Sequence, residues 1–94
     1  MTYPPEEKIQ IKVDEVVWRE VGEEMVVLEL ATSTYLTLNG AAKHLWERLA
    51  SGATFDELVD VLADRYRISA VQARDDAESF LSALSERDLL VHGT

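Results

Sequence analysis

Cysteine is absent from these 94 residues, which removes disulfides, thiolate nucleophiles and sulfur-ligated zinc together. Basic side chains are scarce: nine Lys and Arg stand against eighteen Asp and Glu, a formal charge of −9. Such a chain repels nucleic acid and anionic lipid, whose binding depends on neutralising phosphate. No apolar run approaches the roughly 20 residues that cross a bilayer. The opening segment from Met1 to Lys8 has no apolar signal core, so the expected location is cytoplasmic and the expected partner neutral or basic. The two histidines, His44 and His92, are isolated and lack a triad-like Ser or carboxylate neighbour. The four glycines, Gly22, Gly40, Gly52 and Gly93, are too scattered to cradle a phosphate. Neither H-E-x-x-H nor an EF-hand loop occurs. No catalytic residue, no metal and no cofactor is therefore expected.

What is present suits one domain, since a chain of this size buries roughly 60–68 % of its unfolded surface. Residues 1–8 read as a flexible arm because Pro4-Pro5 bars helix, and residues 9–92 as a single domain. Ile9, Ile11 and Val13 alternate with polar residues, which predicts a short strand or extended lead-in. The apolar runs Val16–Val21 and Met25–Leu30 flank Gly22-Glu23, a pair suited to a type II′ hairpin. A third run, Thr34–Leu38, follows the polar Thr32-Ser33 turn. The three runs predict an antiparallel meander.

At Asn39 the period changes from two to 3.6. Asn39 can cap a helix carrying Ala41, Ala42, Leu45, Trp46 and Leu49, with Lys43 and Glu47 as an i,i+4 pair and Ser51-Gly52 as its end. Thr54 with Glu57 forms a capping box that opens a second helix, striped by Phe55, Leu58, Val59, Leu62 and Tyr66. Ser69 with Gln72 opens a third, with Ala73, Ala77, Phe80, Leu81 and Leu84 inward, before Leu89-Leu90-Val91 folds back. The fold class is α+β: a three-stranded antiparallel sheet followed by three helices, one sheet face packed on them. Alternation suggests Val26, Leu28, Leu30, Leu36 and Leu38 on the core face, with Trp18, Met25, Val27 and Tyr35 opposite. The second face is then apolar too. Either the segment from Ile9 to Val13 covers it, the expected arrangement, or it is open for a partner.

Asp56, Asp60 and Asp64 ridge the second helix, and Asp75, Asp76 and Glu78 cluster on the third. These charges read either as a solvated surface or as a docking surface for a basic partner. A winged-helix regulator binding DNA would need a basic recognition helix, whereas the third helix is net acidic. An acyl carrier would need an Asp-Ser at a helix start, and none occurs. The third strand, at the end of the meander, is a plausible edge that can accept an extended peptide.

Thr34-Tyr35-Leu36-Thr37-Leu38-Asn39, then Ala41-Ala42, Leu45-Trp46 and Ser51-Gly52, resembles the PqqD-like family. The likeness continues through Phe55-Asp56-Glu57-Leu58, Leu62, Tyr66, Asp76-Ala77, Phe80-Leu81, Leu84 and Leu89-Leu90, spanning roughly residues 15–91. It implies a winged-helix-like recognition element for ribosomally made, modified peptides, one that binds a precursor's leader segment and has no chemistry of its own. With Trp18 and Trp46, the strand is most similar to stand-alone components of split lasso-peptide systems. There the resemblance implies a cysteine-protease leader peptidase and a macrolactam synthetase as later actors. The alternative within the family is a peptide chaperone for a radical enzyme in pyrroloquinoline quinone synthesis. Carried onto this chain, the leader would pair with Thr34, Tyr35, Leu36, Thr37 and Leu38. Its side chains would meet Arg74, Ala77, Glu78 and Leu81, the small Ala77 leaving room for a ring. Asp75 and Glu78 would take lysines of the leader, and Arg74 an acidic side chain.

Overall fold

A computed structural model describes residues 6–92. The elements are β1 (Lys8–Ile11), a 3-10 turn (Val13–Glu15), β2 (Val16–Val21), β3 (Glu24–Glu29), β4 (Thr34–Asn39), α1 (Gly40–Ala50), β5 (Ala53–Thr54), α2 (Phe55–Tyr66), α3 (Ala70–Glu86) and β6 (Leu90–His92). They form an α+β fold in which β2-β3-β4 is the antiparallel meander and β5-β1-β6 a second small antiparallel sheet. The first hairpin closes on the pair Val21 and Glu24. Gly22 has φ +63 and Glu23 has no positive φ, so only the first loop position is left-handed, as a type II′ turn requires.

The register of the second hairpin corrects the expected faces. Its four-residue loop, Leu30 to Ser33, pairs Glu29 with Thr34, Val27 with Leu36 and Met25 with Leu38. Odd positions of β3 therefore share a face with even positions of β4. A one-residue slip in pairing exchanges the faces, and the loop length decides it. Trp18, Met25, Val27, Leu36 and Leu38 face the helices, while Val26 and Leu28 lie with Tyr35 on the outer side. Leu30 lies beyond β3 and is exposed.

The segment from Ile9 to Val13 does not cover that outer side. Ile9 and Ile11 are fully buried between β5 and β6, and Val13 lies exposed in the 3-10 turn. Gln10 Nε2 donates to Ala50 O at 3.0 Å, and Lys12 N–H to Leu89 O at 2.8 Å, tying the strand to α1 and the chain's end. Of the expected arm, Met1–Pro5 lie outside the described residues, and Lys8 already belongs to β1.

The helices present the stripes their spacing predicts. Leu45, Trp46 and Leu49 are buried on α1, Phe55, Leu58, Val59 and Leu62 on α2, and Ala73, Ala77, Leu81 and Leu84 on α3. Tyr66 departs from its stripe: it is part-exposed, with its ring 6.3 Å from that of His44. Lys43 does not pair with Glu47; it reaches across to Glu20 on β2 at 3.2 Å, and Glu47 lies 3.8 Å from His44. Trp46 joins α1 to the sheet, standing edge-on to Trp18 with centroids 5.7 Å apart and planes at 76°. It is wholly buried, and its Nε1 has no acceptor among the described residues. An unpaired buried donor costs about 1–3 kcal/mol, which the apolar burial of the ring offsets.

Replacing Trp46 therefore separates two effects. Trp46→Ala is expected to lower unfolding free energy in urea by about 3–5 kcal/mol. Trp46→Phe should cost much less, since it keeps most of the ring contact and removes the orphaned N–H. Equal losses for the two variants would contradict this assignment.

Candidate peptide-binding edge and its helical wall

β4 has a strand on one side only. A two-residue hairpin closes on a hydrogen-bonded pair, and such pairs alternate along an antiparallel ladder. Starting from Val21 and Glu24, the alternation turns the main chain of Glu24, Val26 and Leu28 toward β2. The Leu30 N–H continues it, donating to Glu15 O at 3.0 Å. Met25, Val27 and Glu29 then bond to Leu38, Leu36 and Thr34. The N–H and C=O groups of Tyr35 and Thr37 consequently point out of the sheet. Thr34, Leu36 and Leu38, expected among the pairing residues, spend their main-chain groups on β3 and offer an edge peptide only side chains. No charge or proline guards β4. The opposite edge, β2, carries Arg19 and Glu20.

Beneath this edge, Leu36 and Leu38 pack on the core but remain half-buried. α3, expected from the sequence to flank this edge, is anchored at both ends by charge. At its C-terminal end Arg87 Nη1 donates to Glu29 Oε2. Glu29 is the one charged side chain buried among the described residues, and it lies opposite Thr34 in the ladder. The end of α3 is thereby fixed at the Thr34 end of the edge. At the other end Arg74 Nη1 lies 3.6 Å from Asp56 Oδ1, and its guanidinium carbon 5.0 Å from the centroid of the buried Phe55 ring. An exposed pair of this kind contributes up to about 1 kcal/mol and the ring contact a similar amount.

Of the helix residues singled out by sequence, Arg74 and Asp75 are exposed, Glu78 is half-buried, and Ala77 and Leu81 are fully buried. Ala77 and Leu81 therefore pack into the core, and a tryptophan at Ala77 would overpack that core rather than plug an open groove. Sequence reasoning missed the Glu29–Arg87 pair. The signal was there: reading β3 on its odd positions gives Met25, Val27, Glu29, an acid in line with two core residues.

The shelf under Arg74 is held by the capping box. Thr54 N–H donates to Glu57 Oε1 at 2.8 Å, and Glu57 N–H donates to Thr54 Oγ1 at 3.2 Å. Arg48 Nη2 adds a bond to Glu57 Oε2 at 2.8 Å. The Thr54 N–H first, and then the charge of Arg48, hold the Glu57 carboxyl below its ordinary range despite partial desolvation. On α3 the box is half closed: Ser69 Oγ accepts from Gln72 N–H at 3.1 Å, while the Gln72 side chain turns to Asp76 at 2.8 Å. At the far end, the Asp88 hydrogen bond, at 3.0 Å, raises the Lys12 ammonium above its ordinary pKa. Among the described residues no group of His, Asp and Glu could hold a metal ion. No described helix is long and apolar enough to cross a membrane.

The family described as coenzyme PQQ synthesis protein D (PqqD) matches residues 24–90. A solved structure described as TbiB1 in complex with the TbiA(beta) leader peptide is similar at a TM-score of 0.79 and 32% identity, covering 86% of this chain and 93% of that one. A second, lasso peptide synthetase B1 complexed with the leader peptide, gives 0.77 and 20% identity over 88% of this chain and 96% of that one. The second likeness speaks for the fold alone. No curated protein matches the chain.

The lowered Glu57 pKa has a direction in pH. A carboxyl with a depressed folded-state pKa contributes stability above its unfolded value, about 4.5, and loses it as pH falls through the folded value. Urea midpoints measured from pH 6 downward should fall below about pH 4.5. Glu57→Gln should start lower and fall less steeply. An unchanged acid slope in the variant would remove Glu57 from this role.

Proposed function

The chain belongs to the PqqD family, and from that premise we propose that it recognises the leader segment of a ribosomally made precursor peptide. The leader adds to β4 as a fourth strand of the meander and is presented there to processing enzymes. The observation that carries this reading is the uncharged, unguarded edge of β4, flanked by the half-buried Leu36 and Leu38. Tyr35 and Thr37 supply four free main-chain groups. At about 0.5–1.5 kcal/mol net for each bond, they anchor an extended peptide without selecting among sequences.

Selection then falls to side chains. Leader residues on the inner side of the added strand meet Leu36, Leu38 and the α3 wall. Glu78 and Asp75 attract lysine, and Arg74 exchanges Asp56 for an acidic side chain of the leader. Ala77 and Leu81 hold the wall at its distance. The 32% identical structure is a leader-peptide complex, and the likeness of Tyr35–Asn39, Trp18 and Trp46 to split lasso-peptide components favours a lasso precursor over the pyrroloquinoline quinone pathway that the family's description names. On this reading a cysteine-protease leader peptidase and a macrolactam synthetase do the chemistry, and this chain is the non-catalytic, cytoplasmic adaptor between them and the precursor.

Two measurements test the reading. Thr37→Pro removes an outward N–H and sets a ring in the path of an added strand, a change that edge strands tolerate. Titration with the cognate leader should show affinity at least about tenfold weaker, with Thr37→Ser near wild type. Wild-type affinity in the proline variant would mean that the leader binds elsewhere. For a leader rich in lysine, raising salt from 50 to 500 mM should weaken binding mainly by slowing association, because the −9 charge is screened.

A further inference from the structure

The outer face of the meander is bare. Val17, Leu28 and Tyr35 form one row across its three strands, and Arg19, Val26 and Thr37 the next. Val17 is 55% and Tyr35 67% exposed, and a shallow hollow of about 180 Å³ lies among these residues. β1, the segment that might have covered them, is committed to the second sheet. Acidic side chains outnumber basic ones around the face: Arg19 lies within it and Lys12 stands 4.0 Å from Glu15, against four acids at its two ends. Glu23 and Glu24 stand at the first hairpin, and Asp14 and Glu15 stand where Glu15 O accepts from Leu30 N–H.

We propose that this face docks a protein with an apolar centre edged by Lys and Arg, and that this protein is the enzyme acting on the bound precursor. Charge selects the occupant. Acidic ends on a chain of net charge −9 repel a second copy and attract a basic rim. Position connects docking to the peptide, and here the inference rests on leader binding at β4. The row Val17–Leu28–Tyr35 ends at the open edge, so an added strand lengthens it by one residue. The enzyme then meets protein and peptide as one continuous surface. Leader and enzyme must therefore tighten each other's binding by the same factor.

The experiment uses the leader peptidase of the same biosynthetic system, its precursor and the full chain. Val17→Lys changes an exposed residue on β2, away from the leader edge. Asp14→Lys with Glu23→Lys reverses the acidic ends without touching the apolar centre. Leader affinity is expected to stay within about twofold of wild type for Val17→Lys, which does not meet the peptide, and peptidase binding of the charge-reversed pair, whose net charge falls from −9 to −5, is measured without leader. Peptidase binding and stimulated leader cleavage should drop about tenfold or more in Val17→Lys. The charge-reversed pair should associate more slowly at low salt, the difference closing at high salt. Wild-type cleavage and peptidase binding in both variants would overturn the proposal. So would a concentration-dependent dimer that Val17→Lys abolishes while peptidase binding is untouched. If the wild-type chain bound no leader, the groove reading would fall. Peptidase binding to the chain alone, lost in Val17→Lys, would still support the docking face.

Discussion

Glu29 is an acid on the core side of a sheet, and much else in the molecule follows from answering it. The pleat of β3 sends Met25, Val27 and Glu29 inward together. A buried carboxylate left unpaired is strongly unfavourable. Its partner, Arg87, comes from 58 residues further along, just past α3. The pair fixes the end of the longest helix at the Thr34 end of β4, and Arg74 with Phe55 and Asp56 fixes its start. Charge thus ties α3 to the sheet at one end and to α2 at the other, while the core between is apolar. Lys12, just past β1, reinforces the same corner through Asp88.

The helices were readable because their signals are local. A capping residue, its partner three positions on and a 3.6-residue stripe each lie within one turn, and Thr54 with Glu57 behaves as that logic demands. The three strands of the meander were readable for the same reason. Their faces were not, since facing depends on whether a loop holds an even or odd number of residues, and Leu30 to Ser33 carries no such mark. The second sheet was hidden because β5 has two residues and β6 three, too few to show a period. At the site, β4 was legible as an edge and Arg74 as an exposed cation on α3. The inward stripe of Ala77 and Leu81 was legible from spacing within α3; that Ala77 is packed shut rather than open to a ring depends on how α3 packs, chiefly against α2.

The acidic composition takes on meaning in this setting. Asp56, Asp60 and Asp64 are all exposed, so the ridge on α2 faces water, and Asp75 does the same on α3. β4 itself is neutral. On the proposed reading, charge draws a basic segment near and the neutral edge takes up its main chain. That separates fast, unspecific attraction from short-range fit.

Amide hydrogen exchange at β4, followed with and without the cognate leader, tests the central claim most directly. In the free protein the Leu36 and Leu38 amides should already be slow, because they bond to β3, and those of Tyr35 and Thr37 fast. Saturating leader should slow Tyr35 and Thr37 together and leave Leu36 and Leu38 little changed. A bound leader with Tyr35 and Thr37 still exchanging freely would contradict strand addition at this edge.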